Sequence, residues 1–129
     1  MQNETRPALL PSLITFGALC CLMGVLMSAF GWHALGGDTF VMMAGQYQVW
    51  HGLGLVALAL TGASRLIAKI GAAGFLGGQL LFCGSLYALG ISGEVPLNGA
   101  APVGGVLLML GWASLAFAGW QRWRRTSQG

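Results

Sequence analysis

The residues best able to do chemistry are two histidines, His33 and His51, because a neutral imidazole can move a proton or ligate haem iron or a transition metal. Tyr47, Gln48 and Tyr87 could join them. Tyr47 and His51 are i, i+4 neighbours on one helical face, and Gln48 precedes His51 by three on a flanking strip. Hydroxyls, an amide and imidazoles have complementary donors and acceptors. The cluster therefore has two readings: a structural latch whose members satisfy one another, or a haem-, metal- or small-molecule-binding site. A closed zinc site needs four ligands, more than this set offers, so the expectation is a latch with no metal and no cofactor. Cys20 and Cys21 add little, since adjacent helical side chains point about 100° apart. Cys83 stands alone in another segment, so the three cysteines are expected as free packing residues.

The elements that must position these groups follow from charge. Of the 129 residues 56% are hydrophobic and 7% charged, which excludes an ordinary soluble domain, with about 25% charged residues. The charges leave uncharged windows at 7–37, 39–64, 70–93 and 95–121, each long enough for one membrane crossing of about 20 residues and too short for two. The expected fold is a single all-α domain over residues 1–129, a polytopic membrane protein built as an antiparallel four-transmembrane-helix bundle. Its helices are expected at about 12–35, 47–64, 71–92 and 103–120, with Thr39–Gln46 lying in the outer interface.

Basic residues set the expected orientation. Arg6, the Arg65/Lys69 connection and the Arg122/Arg124/Arg125 tail fall on one side, whereas the other two connections carry only Asp38 and Glu94. Both termini should then be cytoplasmic, with Trp120 and Trp123 at the inner interface and Trp32, Tyr47 and Trp50 at the outer one. The apolar run from Leu13 to Ala34 is longer than the roughly 7–15 residues of a signal h-region, so it reads as a retained first helix. The residues near the outer ends, His51 about one turn into its helix and Tyr87 at matching depth, predict a shallow cluster open toward Asp38 and Glu94.

The 22 glycines say how the helices approach. Lipid gives no hydrophobic drive for helix association, so small residues that let backbones come close mark the contacts. Gly17, Gly24 and Gly31 form such a stripe with Cys21 and Ser28; Gly74 and Gly78 form one on the third helix, and Gly104 and Gly111 one on the fourth. Packing within the chain is the expected use, and an interface with a membrane-protein partner or a second copy is the alternative. Gln79 and Trp112, both near mid-membrane, are expected to share a hydrogen bond, since an unpaired amide or indole N–H is costly there.

Read with their neighbours, Ala29-Phe30-Gly31-Trp32-His33-Ala34-Leu35, Tyr47-Gln48-Val49-Trp50-His51-Gly52-Leu53, Leu81-Phe82-Cys83-Gly84-Ser85-Leu86-Tyr87 and Pro102-Val103-Gly104-Gly105-Val106 resemble a known family. It is the small four-helix membrane family of unknown function that includes bacterial YgdD and eukaryotic transmembrane protein 256. The similarity spans about residues 13 to 120, with Trp32, Cys83 and Ala101 departing from it. The resemblance implies membrane residence and four helices, and supplies no activity.

Several function classes fall away. The net charge of +3 is confined to segment ends, without the interleaved basic and aromatic face of a nucleic-acid reader. No Asp, Glu, Lys or Arg lies inside a window, so an ion-coupled transporter lacks its usual relay. The expectation is a multi-pass protein of the bacterial inner (plasma) membrane whose surroundings are the lipid bilayer. It is not expected to be an enzyme; it reads as a structural or accessory subunit of a membrane assembly, with the ligand-binding cluster as the alternative and a transporter, which would need oligomerisation to enclose a path, ranked behind both.

Overall fold

The computed structural model describes residues 9–127. Glu4, Arg6 and Pro7, used above for orientation and the N-terminal lead, lie outside them. The chain forms four helices: α1 (Leu9–His33), α2 (Thr39–Leu60), α3 (Arg65–Ser92) and α4 (Ala100–Thr126). Of these, α1 from Pro11 to His33, α3 and α4 are long and apolar enough to cross a membrane.

The largest departure from the sequence reading is at the start of α2. Thr39–Gln46 is not a separate interfacial segment but the first two turns of α2. Gly36 and Gly37 take left-handed φ values of 66° and 88°, which turn the chain out of α1. Asp38 then caps α2, its carboxylate accepting the Val41 N–H at 2.9 Å. Val41 and Ala44 are fully buried, so one face of this stretch is core, while Phe40 and Met43 stay exposed on the other. At α3, the Ser64 hydroxyl accepts the Ile67 N–H, and the helix starts at Arg65 instead of Gly71. α4 runs past Trp120 to Thr126, placing Arg124 and Arg125 in a last turn whose exposed carbonyls favour cations.

Consecutive helices run antiparallel, and glycines lie at their closest approaches. A Cβ on Gly17 would stand 2.6 Å from the Gly52 carbonyl oxygen, and one on Gly24 would stand 2.5 Å from that of Gly45. Gly31 rests on Val41 and Met42. The second hairpin has the same construction: Gly74 faces Leu107 and Gly111, Gly78 faces Leu108, and Gly104 faces Phe82. Gly111 also makes room for the Phe75 ring, which fills the space between α2 and α4.

The core lies along α2 and α3. One cluster joins Leu13, Leu55, Ala59, Ala68, Ala72 and Phe75; a second joins Leu58, Ala63 and Ala118. No Cα of α1 comes within 8 Å of one in α4, so the helices do not close into a ring. α1 is held almost wholly by α2, and Phe16, Leu19, Leu22, Leu26 and Phe30 remain exposed along its outer side.

Candidate functional site

The structure separates the five candidate residues into three places. Tyr87 on α3 donates its hydroxyl proton to Gln48 Oε1 on α2 at 2.6 Å, the one direct hydrogen bond between two side chains of the proposed cluster among the described residues. His51 does not share it. Its ring is buried, 6% exposed, and Nδ1 bonds the carbonyl oxygen of Tyr47 one turn earlier. A carbonyl can only accept, so Nδ1 carries the proton and Nε2 the lone pair.

Aromatic rings, rather than polar partners, surround the imidazole. Tyr47 stacks at 5.8 Å between centroids, Phe75 of α3 lies at 6.2 Å, and Trp112 of α4 meets it edge-on at 6.0 Å. Phe75 and Trp112 are perpendicular at 5.4 Å, a favoured geometry for aromatic pairs. Tyr47 also contacts Trp50 and Phe82, each at 5.1 Å. Three helices thus contribute to one aromatic layer with a single imidazole inside it.

This layer is deeper than the sequence reading placed it. Because α2 starts at Thr39, His51 lies twelve residues along it, about 18 Å from its first residue at 1.5 Å per residue. It stands near the middle of the helix, not one turn below its end. His33, in contrast, is exposed at the end of α1 and touches none of the other four candidates. Gly31, two residues before it, lies against Val41, which precedes His51 by ten residues or about 15 Å of helical rise. Metal–nitrogen bonds of about 2 Å cannot bridge that separation, so the two histidines of one chain cannot ligate one metal or haem iron. Among the described residues no three His, Cys, Asp or Glu side chains are grouped to hold a metal ion.

The Gln79–Trp112 bond is also absent. Gln79 donates through Nε2 to the Phe75 carbonyl at 3.1 Å within its own helix. Its Oε1 is the only buried side-chain N or O without a partner among the described residues. Trp112 is 44% exposed and spends its inner edge on His51 and Phe75. Phe75 and Phe82 were missed as members of the layer, although Phe75 precedes Gln79 by one turn and therefore shares its inward face. The cysteines are free: Cys83 is buried, and Cys21 donates to the Val49 carbonyl at 3.5 Å, reinforcing the α1–α2 contact.

Helices of this length and composition, with polar side chains turned onto neighbouring helices and apolar ones outward, define a multi-pass membrane protein. Residues 27–105 match the family described as Protein of unknown function (DUF423), and the chain belongs to it. A UPF0382 membrane protein of Staphylococcus epidermidis is 39% identical over 119 residues, covering 82% of this chain and 97% of the relative. YwdK of Bacillus subtilis, also a UPF0382 membrane protein, is 35% identical, covering 81% and 93%. The UPF0382 inner membrane protein YgdD of Escherichia coli is 33% identical, covering 78% and 83%. The chain is accordingly a multi-pass protein of the inner, or plasma, membrane. No solved structure matches it.

Proposed function

We propose that the protein is a non-catalytic structural or accessory subunit of a membrane assembly, crossing the bilayer four times with both termini in the cytoplasm. The observation that carries this reading is the internal use of the two polar groups at the centre of α2, Gln48 and His51. Gln48 is taken by Tyr87 and His51 by the Tyr47 carbonyl and three rings, leaving contact with neighbours to apolar surface. That α2 also crosses is supported by its length, 22 residues or about 33 Å, and by its antiparallel seat between α1 and α3. Its lower apolarity is explained in part by its position, since Tyr47, Gln48 and His51 bond or stack on protein.

Gentle extraction followed by cross-linking and mass spectrometry tests the subunit reading. A reproducible membrane-protein partner, or self-association, is expected, with no stoichiometric haem or metal. A Soret band or bound metal that disappears in His51→Ala would overturn it in favour of the ligand-binding alternative. For topology, a single cysteine at position 38 in a cysteine-free background should label from outside intact cells; labelling only after lysis refutes the orientation.

A further inference from the structure

At the end of the molecule opposite Asp38 and Glu94, two cavities flank α4. One, of about 390 Å³, is an open groove along the exposed side of α4 itself, lined by Phe117, Trp120, Gln121, Arg124 and Arg125. The other, of about 280 Å³, lies between α4 and the α2–α3 turn, lined by Thr61, Gly62, Ala63, Ala118, Gln121, Arg122 and Arg125. Gln121 and Arg125, one turn apart, belong to both. Each space is large enough for a phosphate with part of its glycerol, and the first is apolar toward the helix middle, at Phe117 and Trp120, and cationic toward the helix end.

Two of the three arginines are held, and none is neutralised among the described residues. Arg122 donates one N–H to the Leu60 carbonyl at 3.0 Å, which fixes it over the end of α2 and leaves four donors free. Arg124 lies over the Trp120 ring at 5.1 Å, a contact that positions a guanidinium without discharging it. Arg125 makes no hydrogen bond or ion pair among the described residues, and both described carboxylates stand at the far end. The Thr61 hydroxyl is already spent on the Leu58 carbonyl at 2.7 Å, so the free donors here are those of the arginines and the Gln121 amide.

We propose that the first of these, the groove along α4, is a binding site for an anionic phospholipid, its phosphate held by Arg124 and Arg125 with Gln121, and its glycerol and first acyl carbons against Phe117 and Trp120. Guanidinium groups recognise phosphate oxygens through paired N–H donors. The graded lining argues for a lipid over a free phosphate: the same cavity that offers arginines at its mouth offers aromatic rings one turn deeper, where acyl chains begin. Basic pockets at the ends of transmembrane helices are suited to such headgroups.

Native mass spectrometry of the intact protein, with phosphatidylglycerol and phosphatidylcholine of matched acyl chains in competition, tests the site. The parent protein should retain phosphatidylglycerol preferentially. Arg125→Gln should weaken that retention about fivefold, and the Arg124→Gln/Arg125→Gln pair about 25-fold, at roughly 1 kcal/mol per arginine. Lys69→Gln removes the same charge from α3, which lines neither cavity, and should change retention less than twofold. Equal retention of the two lipids overturns the proposal, as does a loss in Lys69→Gln equal to that in Arg125→Gln. Displacement of the lipid by millimolar inorganic phosphate overturns the lipid assignment. If Arg125→Gln does not fold, Arg124→Gln carries the same comparison.

Discussion

Replacing Gly24 by alanine adds one methyl group where the facing backbone of α2 comes closest to α1. Its Cβ would stand 2.5 Å from the Gly45 carbonyl oxygen, 2.8 Å from Val49 Cγ2 and 3.0 Å from the Val49 nitrogen. Ordinary contact begins at 3.4 Å, so the carbonyl alone demands a separation of about 0.9 Å. The obstacle is helix backbone and cannot rotate away. α1 must therefore move outward, which also loosens the seats of Gly17 and Gly31 on the same stripe. Overpacking of this kind costs about 1–3 kcal/mol, and lipid offers no hydrophobic compensation for parted helices. Leucine at position 24 extends the obstruction and should fall at or above the top of that range. The control is Gly84→Ala, a helical position whose added Cβ meets nothing within 4 Å, where alanine should be neutral or stabilising by up to about 1 kcal/mol. Both variants would be unfolded in mixed micelles by increasing SDS mole fraction, followed by circular dichroism. If Gly24→Ala unfolds at the same SDS fraction as Gly84→Ala, the close approach of α1 and α2 is not what holds α1, and the reasoning fails.

Other residues give distinct expectations in the same assay. Tyr87→Phe leaves Gln48 without its partner, and a double-mutant cycle with Gln48→Leu should return a coupling of about 0.6–2 kcal/mol; a coupling near zero refutes the bond. His51→Ala opens a hole between Tyr47, Phe75 and Trp112 and should cost about 2–4 kcal/mol, with His51→Gln milder because its chain fills part of the space; equal losses would contradict the packing role. Gln79→Met removes a buried acceptor that has no partner and should leave stability unchanged or raised by about 1 kcal/mol, whereas a clear loss would mean that Oε1 is satisfied.

Four helices and a membrane location were legible because charge is so sparse that each interruption marks a connection. The glycine spacing was legible for a related reason: in lipid, small residues are the means of contact, and their period names the face. Boundaries were harder. After Gly36-Gly37, Asp38 reads as part of the connection, yet its capping of Val41 makes it the start of α2, and this eight-residue shift puts His51 at the middle of the helix instead of its end. The latch was only partly visible for the same reason. Gln48 and Tyr87 met because antiparallel α2 and α3 bring their levels together, which loop lengths alone suggest. His51 instead bonded its own helix, a local option that i, i+4 spacing allows as readily as a contact between helices. Trp112 could not be assigned to His51 without knowing how α4 is rotated against α3.

The arrangement of the contacts also bears on how the protein is made. The closest backbone-to-backbone approaches lie within α1–α2 and within α3–α4, each between neighbours in sequence, while no Cα of α1 comes within 8 Å of one in α4. A chain with this economy can complete its first hairpin while α3 is still being synthesised. The second hairpin then needs only to find α2, along a face carrying Leu55, Leu58 and His51. Biogenesis reduces to two local closures and one docking step, with no helix obliged to wait for a distant partner before its glycine face is covered.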